Sequence, residues 1–258
     1  MSKDLGLKIP LIEMFGPVQQ GEGQLIGRPT WFVRTGGCGY RCIECDSMHA
    51  VDPKEIAQRA EVMSAQEIGE RLITQMGMCP LVTVSGGDPA LWDMIDLIRV
   101  TMRHRKEVAI ETQGSVFKPW IRFCDYITIS PKGPGMIGVD QARAGLLLFE
   151  EFLRQCLRGR WEHHGVCVKV PVFDTADLLY AEEVLQVLRK QSDSIPMYLS
   201  VGNSWVFPPN TVVDSLRTRL LDRLDKIFRL VVAGHPKLQE CAILPQLHVL
   251  QFGNELRR

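Results

Sequence analysis

The sequence lacks a net charge. Its 258 residues include 30 lysines and arginines and 30 aspartates and glutamates, so the formal charge at pH 7 is zero. A chain without excess positive charge has no overall electrostatic attraction for nucleic-acid backbones or anionic membranes. The balance therefore predicts a protein that binds neither nucleic acid nor a membrane and recognises a small molecule instead.

The sequence also lacks a long hydrophobic run. The most apolar stretches, such as "AGLLLFEEF", are far shorter than the roughly 20 residues that a membrane span needs. There is no internal repeat and no linker-like tract, while a hydrophobic content of 45% is sufficient for a large buried core. We expect one domain over residues 1–258, located in the cytoplasm.

The cysteines do not form the pattern of a disulfide scaffold. Five of the eight are scattered among apolar neighbours, at Cys79, Cys124, Cys156, Cys167 and Cys241. Free cysteine behaves as a small hydrophobic residue and is often buried. We therefore predict that these five are reduced core residues.

Short apolar runs alternate along the chain with segments of helical periodicity. The runs that we predict as strands cover residues 30–35, 81–87, 108–114, 126–132, 166–172, 197–203 and 227–232. The predicted helices cover residues 65–75, 90–104, 139–157, 175–191 and 213–224. This alternation predicts an α/β fold with a mostly parallel sheet, either doubly wound or curled into a full or partial barrel.

Polar and glycine-rich segments follow several of the predicted strands. They read "TGGC", "SGGDP", "ETQG", "SPK" and "SVGN". Glycine and proline also end strands for purely structural reasons. However, ligands in parallel α/β folds bind at the carboxyl ends of the strands, so five such segments indicate a ring of loops around one site.

Three cysteines, Cys38, Cys42 and Cys45, lie within eight residues of the loop "GGCGYRCIECDS". A structural zinc site needs a fourth ligand, and His49 could supply it. Such zinc sites usually draw their ligands from two separate pairs, whereas this is a single loop. A 4Fe-4S cluster fits better, because three thiolates bind three irons and leave the fourth iron open to another ligand.

The spacing Cys-x3-Cys-x2-Cys resembles the signature of the radical S-adenosylmethionine (SAM) superfamily. In that superfamily SAM chelates the open iron, and the radical chemistry belongs to the cofactor. The resemblance implies cofactor contacts from Glu44, Cys45, Asp46, Gly87, Ser130, Pro131, Lys132, Gly202 and Asn203. Two residues depart from the usual pattern: Glu44 stands where an aromatic residue is common, and Asp88 replaces a glutamate.

The stretch from Pro10 to Cys38, with "QQGEG" at its centre, resembles the opening of the 7-carboxy-7-deazaguanine synthases. The likeness continues through "CDS", "ETQG", "TISPKGP" and "ILPQLHVLQFGN" and so spans nearly the whole chain. It implies a homodimeric, distorted partial β/α barrel. It further implies conversion of 6-carboxy-5,6,7,8-tetrahydropterin to 7-carboxy-7-deazaguanine with loss of ammonia, an electron donor such as a flavodoxin, and a place in queuosine biosynthesis.

The resemblance also implies a set of substrate-binding residues. They are Gln19, Gln20, Gly21, Glu22, Arg34, Ser85 and His248. A carboxylate and amides on a glycine-containing loop can match the N–H donors and carbonyl acceptors of a pterin edge, and an arginine can bind the substrate carboxylate. A surface ion pair of Arg34 and an ordinary, partly buried His248 are the structural alternatives.

Two further assignments concern the reaction itself. Glu111 at a strand end is the candidate catalytic residue, although Glu111 and Gln113 could serve proton transfer or contact SAM. Ser47 resembles the hydroxyl residue that ligates magnesium beside the substrate carboxylate, and magnesium prefers oxygen ligands. The alternative for Asp46 and Ser47 is helix N-capping.

Two other functions compete with this interpretation. A radical SAM activase that forms a glycyl radical on a partner protein would share the cysteine loop and "GGDP" but would not need "QQGEG" or "PQLH". A zinc-stabilised binding module would use the cysteines without catalysis. Anaerobic reconstitution with iron and sulfide distinguishes an iron-sulfur protein from a zinc module, because only the former becomes brown. Conversion of the pterin distinguishes a synthase from an activase.

Overall fold

The computed structural model describes residues 8–158, 165–203 and 213–255. Within these ranges, nine strands join into one sheet. They are β1 (Ile9–Gln19), β2 (Pro29–Thr35), β3 (Glu61–Met63), β4 (Leu81–Gly86), β5 (Glu107–Thr112), β6 (Tyr126–Ile129), β7 (Val166–Val172), β8 (Met197–Val201) and β9 (Ala242–Pro245). The strand at 227–232 that the sequence predicted is not among them.

The sheet is mostly parallel, as the sequence predicted. Its strand order is β3-β1-β2-β4-β5-β6-β7-β8-β9. From β2 to β9 all neighbours pair in parallel, whereas β1 pairs antiparallel with both β2 and β3. The two ends of the described sheet do not join, so the predicted partial barrel rather than a closed one is confirmed. The carboxyl ends of the parallel strands consequently share one edge.

Helices connect the parallel strands. They are α1 (Pro53–Arg59), α2 (Ala65–Met76), α3 (Ile95–Arg103), α4 (Pro134–Ile137), α5 (Val139–Leu157), α6 (Thr175–Gln191), α7 (Val213–Gly234) and α8 (Leu247–Phe252). Local sequence explains where several begin. Ser64 and Glu67 form a reciprocal capping box before α2, and the Asp174 carboxylate accepts the first backbone N–H groups of α6.

The core lies between the sheet and these helices. Five of the six residues of β4 and six of the seven residues of β7 are buried. Strands covered on both faces are typical of parallel sheets, and they read as continuous apolar runs. Phe149 and Phe152 from α5 are the largest of the completely buried side chains that pack here.

Three sequence predictions about elements need correction. Residues 227–232 belong to α7, where Ile227 and Val231 are buried and Phe228 and Val232 are exposed. Buried residues that are four positions apart are typical of a helix. In a short run of β-branched residues this helical spacing cannot be distinguished from a strand. The helix predicted at 90–104 begins only at Ile95, after a short 3-10 turn. Strands β1, β3 and β9 were not predicted.

The scattered cysteines are free thiols, as predicted, but one is less buried than expected. Cys124, Cys156, Cys167 and Cys241 are buried, whereas Cys79 is half-buried. Among the helices that the structure describes, none combines the length and apolarity needed to cross a membrane.

Replacing Phe149 by alanine tests the core. The side chain is completely buried in α5, so we expect Phe149→Ala to lower the free energy of unfolding by about 3–5 kcal/mol, measured by urea denaturation. Leu147→Ala is the control, because Leu147 is on the same helix and is 67% exposed. Its effect should stay within about 0.5 kcal/mol. Equal losses in the two variants would contradict this packing.

Candidate active site

A cavity of about 610 Å³ lies at the carboxyl ends of the parallel strands. Almost every residue that the sequence assigned to a site lines it. They are Gln19, Gln20, Gly21, Glu22, Arg34, Cys38, Cys42, Glu44, Cys45, Asp46, Ser47, Ser85, Gly87, Glu111, Ser130, Lys132, Gly202, Asn203 and His248. Pro131 is the exception, because it is buried beside the cavity without lining it. The structure thus brings the predicted cofactor and substrate residues together.

Two glycine-rich loops meet at one side of the cavity. Backbone hydrogen bonds from Gly87 N to Thr35 O (3.0 Å) and from Asp88 N to Gly37 O (2.7 Å) join the loop after β4 to the loop after β2. A Cβ atom on Gly87 would lie 2.1 Å from Gly37 O. Only glycine allows this backbone approach, and it fixes the chain immediately before Cys38.

The three clustered cysteines line the cavity from this loop. Cys42 is buried, and Cys38 and Cys45 are half-buried. Burial raises the pKa of Cys38 to about 11 and that of Cys45 to about 12, and the Asp46 carboxylate adds to the rise at Cys45. Burial also raises the pKa of Cys42. Without a bound cation these thiols therefore remain protonated near neutral pH.

The donor set fits a 4Fe-4S cluster. Three free thiols from one loop face a shared cavity, and each can bind a different iron. In the described part of the chain, no three side chains of His, Cys, Asp or Glu lie close enough together to bind one metal ion. His49, the alternative fourth ligand for zinc, instead places Nε2 3.4 Å from Glu13 Oε1.

Loops after β6 and β8 also line the cavity. After β6, Lys132 Nζ donates to Ser130 Oγ at 2.7 Å. After β8, the backbone of Gly202 packs against the Phe173 ring, and its carbonyl accepts from Arg223 Nη1 at 2.6 Å. Burial lowers the pKa of Arg223, and the Glu44 carboxylate opposes that change. Glu44, at the usual aromatic position, therefore faces a cation from α7.

A second side of the cavity is formed by charged side chains. Glu22 Oε2 accepts from Lys169 Nζ at 2.5 Å, and Glu22 Oε1 accepts from Ser200 Oγ at 2.9 Å. Gln20 Nε2 donates to Glu111 Oε1 at 3.0 Å. The "QQGEG" segment is therefore connected to β5, β7 and β8.

The electrostatics of Glu22 and Lys169 are dominated by their mutual attraction. Burial on its own would raise the pKa of Glu22, but the Lys169 ammonium, His248 and hydrogen bonds lower it to about 2. Burial on its own would lower the pKa of Lys169, but Glu22 and Glu111 raise it instead. Glu22 is therefore a carboxylate and Lys169 an ammonium at neutral pH.

Arg34 lies where the cysteine loop meets the charged side. Its Nε atom is 2.8 Å from Glu13 Oε1, and its Nη1 donates to Ser47 Oγ at 2.7 Å. Arg34 does form an ion pair, but the pair is inside the protein, with side-chain exposures of 17% for Arg34 and 5% for Glu13. Ser47 precedes a 3-10 turn without capping it through its side chain. Its hydroxyl instead donates to Asp46 Oδ1 at 3.0 Å, and Ser47 lines the cavity.

The C-terminal segment closes the cavity over the "QQGEG" segment. Leu247 N donates to Gly21 O at 3.0 Å, and a Cβ on Gly21 would lie 2.2 Å from His248 Nδ1. Gln246 is buried, and its Nε2 lies 3.5 Å from Asp46 Oδ2. His248 therefore lies against the "QQGEG" segment, next to residues that the sequence assigned to substrate binding.

Two residues that line the cavity, Lys169 and Gln246, were not predicted from the sequence. The signal for Lys169 was available, because a lysine in the middle of the apolar run "VCVKVPV" is unusual for a strand covered on both faces. Gln246 carried no such signal, since glutamine is common in surface turns. Only the pairing of β8 with β9 brings it to the cavity.

No family model matches the sequence. Among curated proteins, the chain is 36% identical over 249 residues to the 7-carboxy-7-deazaguanine synthase of Bacillus subtilis, covering 96% of this chain and 97% of that protein. It is 35% identical over 252 residues to the Bacillus cereus protein of the same name, covering 96% and 98%. The crystal structure of QueE from Escherichia coli has a TM-score of 0.65 at 20% identity, covering 96% and 99%.

Substituting Gly87 tests the contact between the glycine-rich loops. In Gly87→Ala the new methyl group must displace the backbone next to Cys38. We expect a loss of about 1–3 kcal/mol in the free energy of unfolding and less iron bound after anaerobic reconstitution. The control is Gly234→Ala, where a Cβ meets nothing within 4 Å. Wild-type iron content and stability in Gly87→Ala would refute the proposed constraint.

Proposed function

The chain belongs to the 7-carboxy-7-deazaguanine synthase family, and from this premise we propose how its residues perform the reaction. It is a radical SAM enzyme of queuosine biosynthesis. It converts 6-carboxy-5,6,7,8-tetrahydropterin to 7-carboxy-7-deazaguanine with loss of ammonia. The observation that supports the residue assignments best is that the cysteine loop and the "QQGEG" segment face one cavity.

The cofactor side would hold a 4Fe-4S cluster and SAM. When bound, these groups supply a radical that removes a hydrogen atom from the substrate. Cys38, Cys42 and Cys45 would bind three irons of the cluster, and the loops after β4, β6 and β8 line the same cavity. Gly87 and Ser130 offer polar backbone and hydroxyl groups to SAM, and Lys132, Gly202 and Asn203 line the same surface. Pro131 supports this loop without facing the cavity.

The substrate side binds the pterin through matched hydrogen bonds. Glu22 is an ionised acceptor for the N–H donors of the pterin edge, and Gln20, Gly21 and Ser85 complete the polar wall. His248 covers this segment. Glu111 is the carboxylate that accepts or returns a proton, with Gln20 Nε2 holding its Oε1 at 3.0 Å.

The substrate carboxylate and magnesium would be held at the junction of the two sides. Arg34 offers a planar, permanently charged fork for the carboxylate. Ser47 is 2.7 Å from that fork, so its hydroxyl and the substrate oxygens together offer magnesium the oxygen ligands that it prefers. Asp46 lies beside Ser47, with Oδ1 accepting from Ser47 Oγ at 3.0 Å.

The proposal extends to assembly, electron supply and location. A homodimer is supported by the exposed apolar residues Leu221, Phe228 and Val232 on α7, and sedimentation velocity tests it. An electron donor such as a flavodoxin would approach the cysteine loop, where Ile43 is exposed. The test is whether a reduced flavodoxin can replace dithionite in the assay.

The location and the domain organisation are also part of the proposal. Free cysteines throughout the described residues support a cytoplasmic location, and the continuous sheet supports one domain over 1–258.

The direct test is an anaerobic assay. Reconstituted protein is incubated with SAM, dithionite, magnesium and 6-carboxytetrahydropterin, and 7-carboxy-7-deazaguanine, ammonia, methionine and 5'-deoxyadenosine are measured. Product formation without a partner protein is expected. SAM cleavage with no pterin turnover would favour the radical-activase alternative instead.

Each of the three cysteines is expected to be necessary for the cluster. Single alanine variants of Cys38, Cys42 and Cys45 should lose most bound iron and sulfide and the broad absorption near 400 nm, because each thiolate binds its own iron. Cys79→Ala serves as the control, since Cys79 lies away from the cavity lining. A full iron and sulfide complement in any one of the three variants would remove that residue from the ligand set.

Glu22 and Arg34 should affect substrate rather than SAM. Glu22→Gln and Arg34→Ala each remove one charge-assisted hydrogen bond, worth about 1.5–3 kcal/mol or roughly a ten- to hundredfold rise in the Kd for the pterin. Cluster content and SAM binding should stay near wild type. Glu70→Gln and Arg99→Ala, at exposed positions, are the controls. Normal pterin binding in both Glu22→Gln and Arg34→Ala would disprove these substrate assignments.

A further inference from the structure

Lys169 has more hydrogen-bonding capacity than the protein uses. It lies in the middle of β7, is 8% exposed, and lines the cavity. An ammonium group has three N–H donors. Within the described residues, one of them is directed to Glu22 Oε2, and no second acceptor is hydrogen-bonded to Nζ. Buried donors are rarely left unsatisfied, so the remaining N–H groups indicate an acceptor on a ligand.

The neighbours of Lys169 determine what kind of acceptor this is. The carboxylates of Glu22, Glu111 and Asp46 act on the ammonium from three different segments of the chain. Glu22 is already paired with Lys169, and Glu111 accepts from Gln20. Because negative charge already surrounds the ammonium, a neutral carbonyl oxygen fits this position better than a further anion.

Glu22 and Lys169 place a hydrogen-bond acceptor and a hydrogen-bond donor side by side. Their charged atoms are 2.5 Å apart, and both face the cavity. A planar ring edge that carries an N–H donor next to a carbonyl acceptor would match this pair directly. The oxo-pyrimidine edge of a pterin has that arrangement, so this step rests on the function proposed above.

We propose that Lys169 is a specificity-determining residue that donates a hydrogen bond to the ring carbonyl oxygen of the pterin, beside the N–H groups that Glu22 accepts. Lys169 thereby selects a 4-oxo ring over a 4-amino ring. An amino group at that position would direct its own N–H donors at the ammonium and leave both groups unsatisfied.

The experiment compares two ligands in two proteins. The Kd values of 6-carboxytetrahydropterin and of its 2,4-diamino analogue are measured anaerobically by calorimetry with cluster-loaded wild type and Lys169→Met. Wild type should bind the oxo compound about ten- to a hundredfold more tightly than the diamino analogue. In Lys169→Met that ratio should fall severalfold, and a residual preference should remain because a 4-amino ring lacks the N3–H donor that Glu22 accepts. Lys237→Met, at an exposed lysine, should keep the wild-type ratio.

The ratio distinguishes specificity from mere support of Glu22. If Lys169 only positioned Glu22, its loss would weaken both ligands equally and leave the ratio unchanged, which would overturn the proposal. No discrimination by wild type would overturn it as well. If Lys169→Met does not fold, the double variant Glu22→Gln/Lys169→Met leaves no unpaired carboxylate, and its ratio is compared with that of Glu22→Gln alone.

These outcomes are separable from failure of the proposed function. Wild-type protein that neither binds nor converts the pterin would contradict the function itself. If wild type converts the pterin and Lys169→Met keeps the full wild-type preference for the oxo compound, only the role of Lys169 is contradicted.

Discussion

The close approach of two glycine-rich loops is the constraint on which the cavity depends. Residues 36–47, which carry the three cysteines, contain turns but no helix or strand. Their position is set by backbone hydrogen bonds at Gly37, Gly87 and Asp88, where β2 and β4 end side by side. The loop is therefore held by the register of the sheet, and the other strand ends are arranged around it.

The buried charges on the opposite side are better explained by binding than by stability. Removing two charges from water is costly, and a buried ion pair is often no more stable than apolar residues of similar size. Glu22 and Lys169 lie on segments separated by 147 residues, and both face the cavity rather than the core. An ionised acceptor beside an ionised donor is useful at that position because it can recognise a ligand with the complementary edge.

The sequence predicted those features that depend on local pattern. The parallel strands from β2 to β8, the cysteine loop and the glycine-rich strand ends follow from apolar runs and short motifs. Strand β1 was missed because its pairing with β2 contains irregularities, and β9 because it has only four residues. The pairs Glu22–Lys169 and Arg34–Glu13 could not be predicted, since a single sequence does not indicate which distant charges meet.

The two sides of the cavity differ in the groups that would contact a ligand, which are mainly backbone groups on one side and mainly side chains on the other. On the cofactor side, glycine positions and backbone groups determine the geometry, so side chains there can vary while the framework persists. Asp88 illustrates this: although it replaces the usual glutamate, its Oδ1 accepts from Thr112 Oγ1 at 2.7 Å and from Ala90 N at 3.2 Å, which holds the loop against β5. With Glu44 at the usual aromatic position, the three thiols line the cavity.

On the proposed substrate side the opposite holds, because the groups that would recognise a ligand are side-chain charges and amides at fixed separations. A change of one such group alters which ring edge can be bound, even when the fold and the cluster are intact. Variation among proteins of this fold is therefore expected to alter substrate preference mainly through the residues around Glu22, Arg34 and Lys169. In the proposed assignment, the cysteine loop and its glycine contacts determine the reaction type, and different substrate-binding residues could be combined with it.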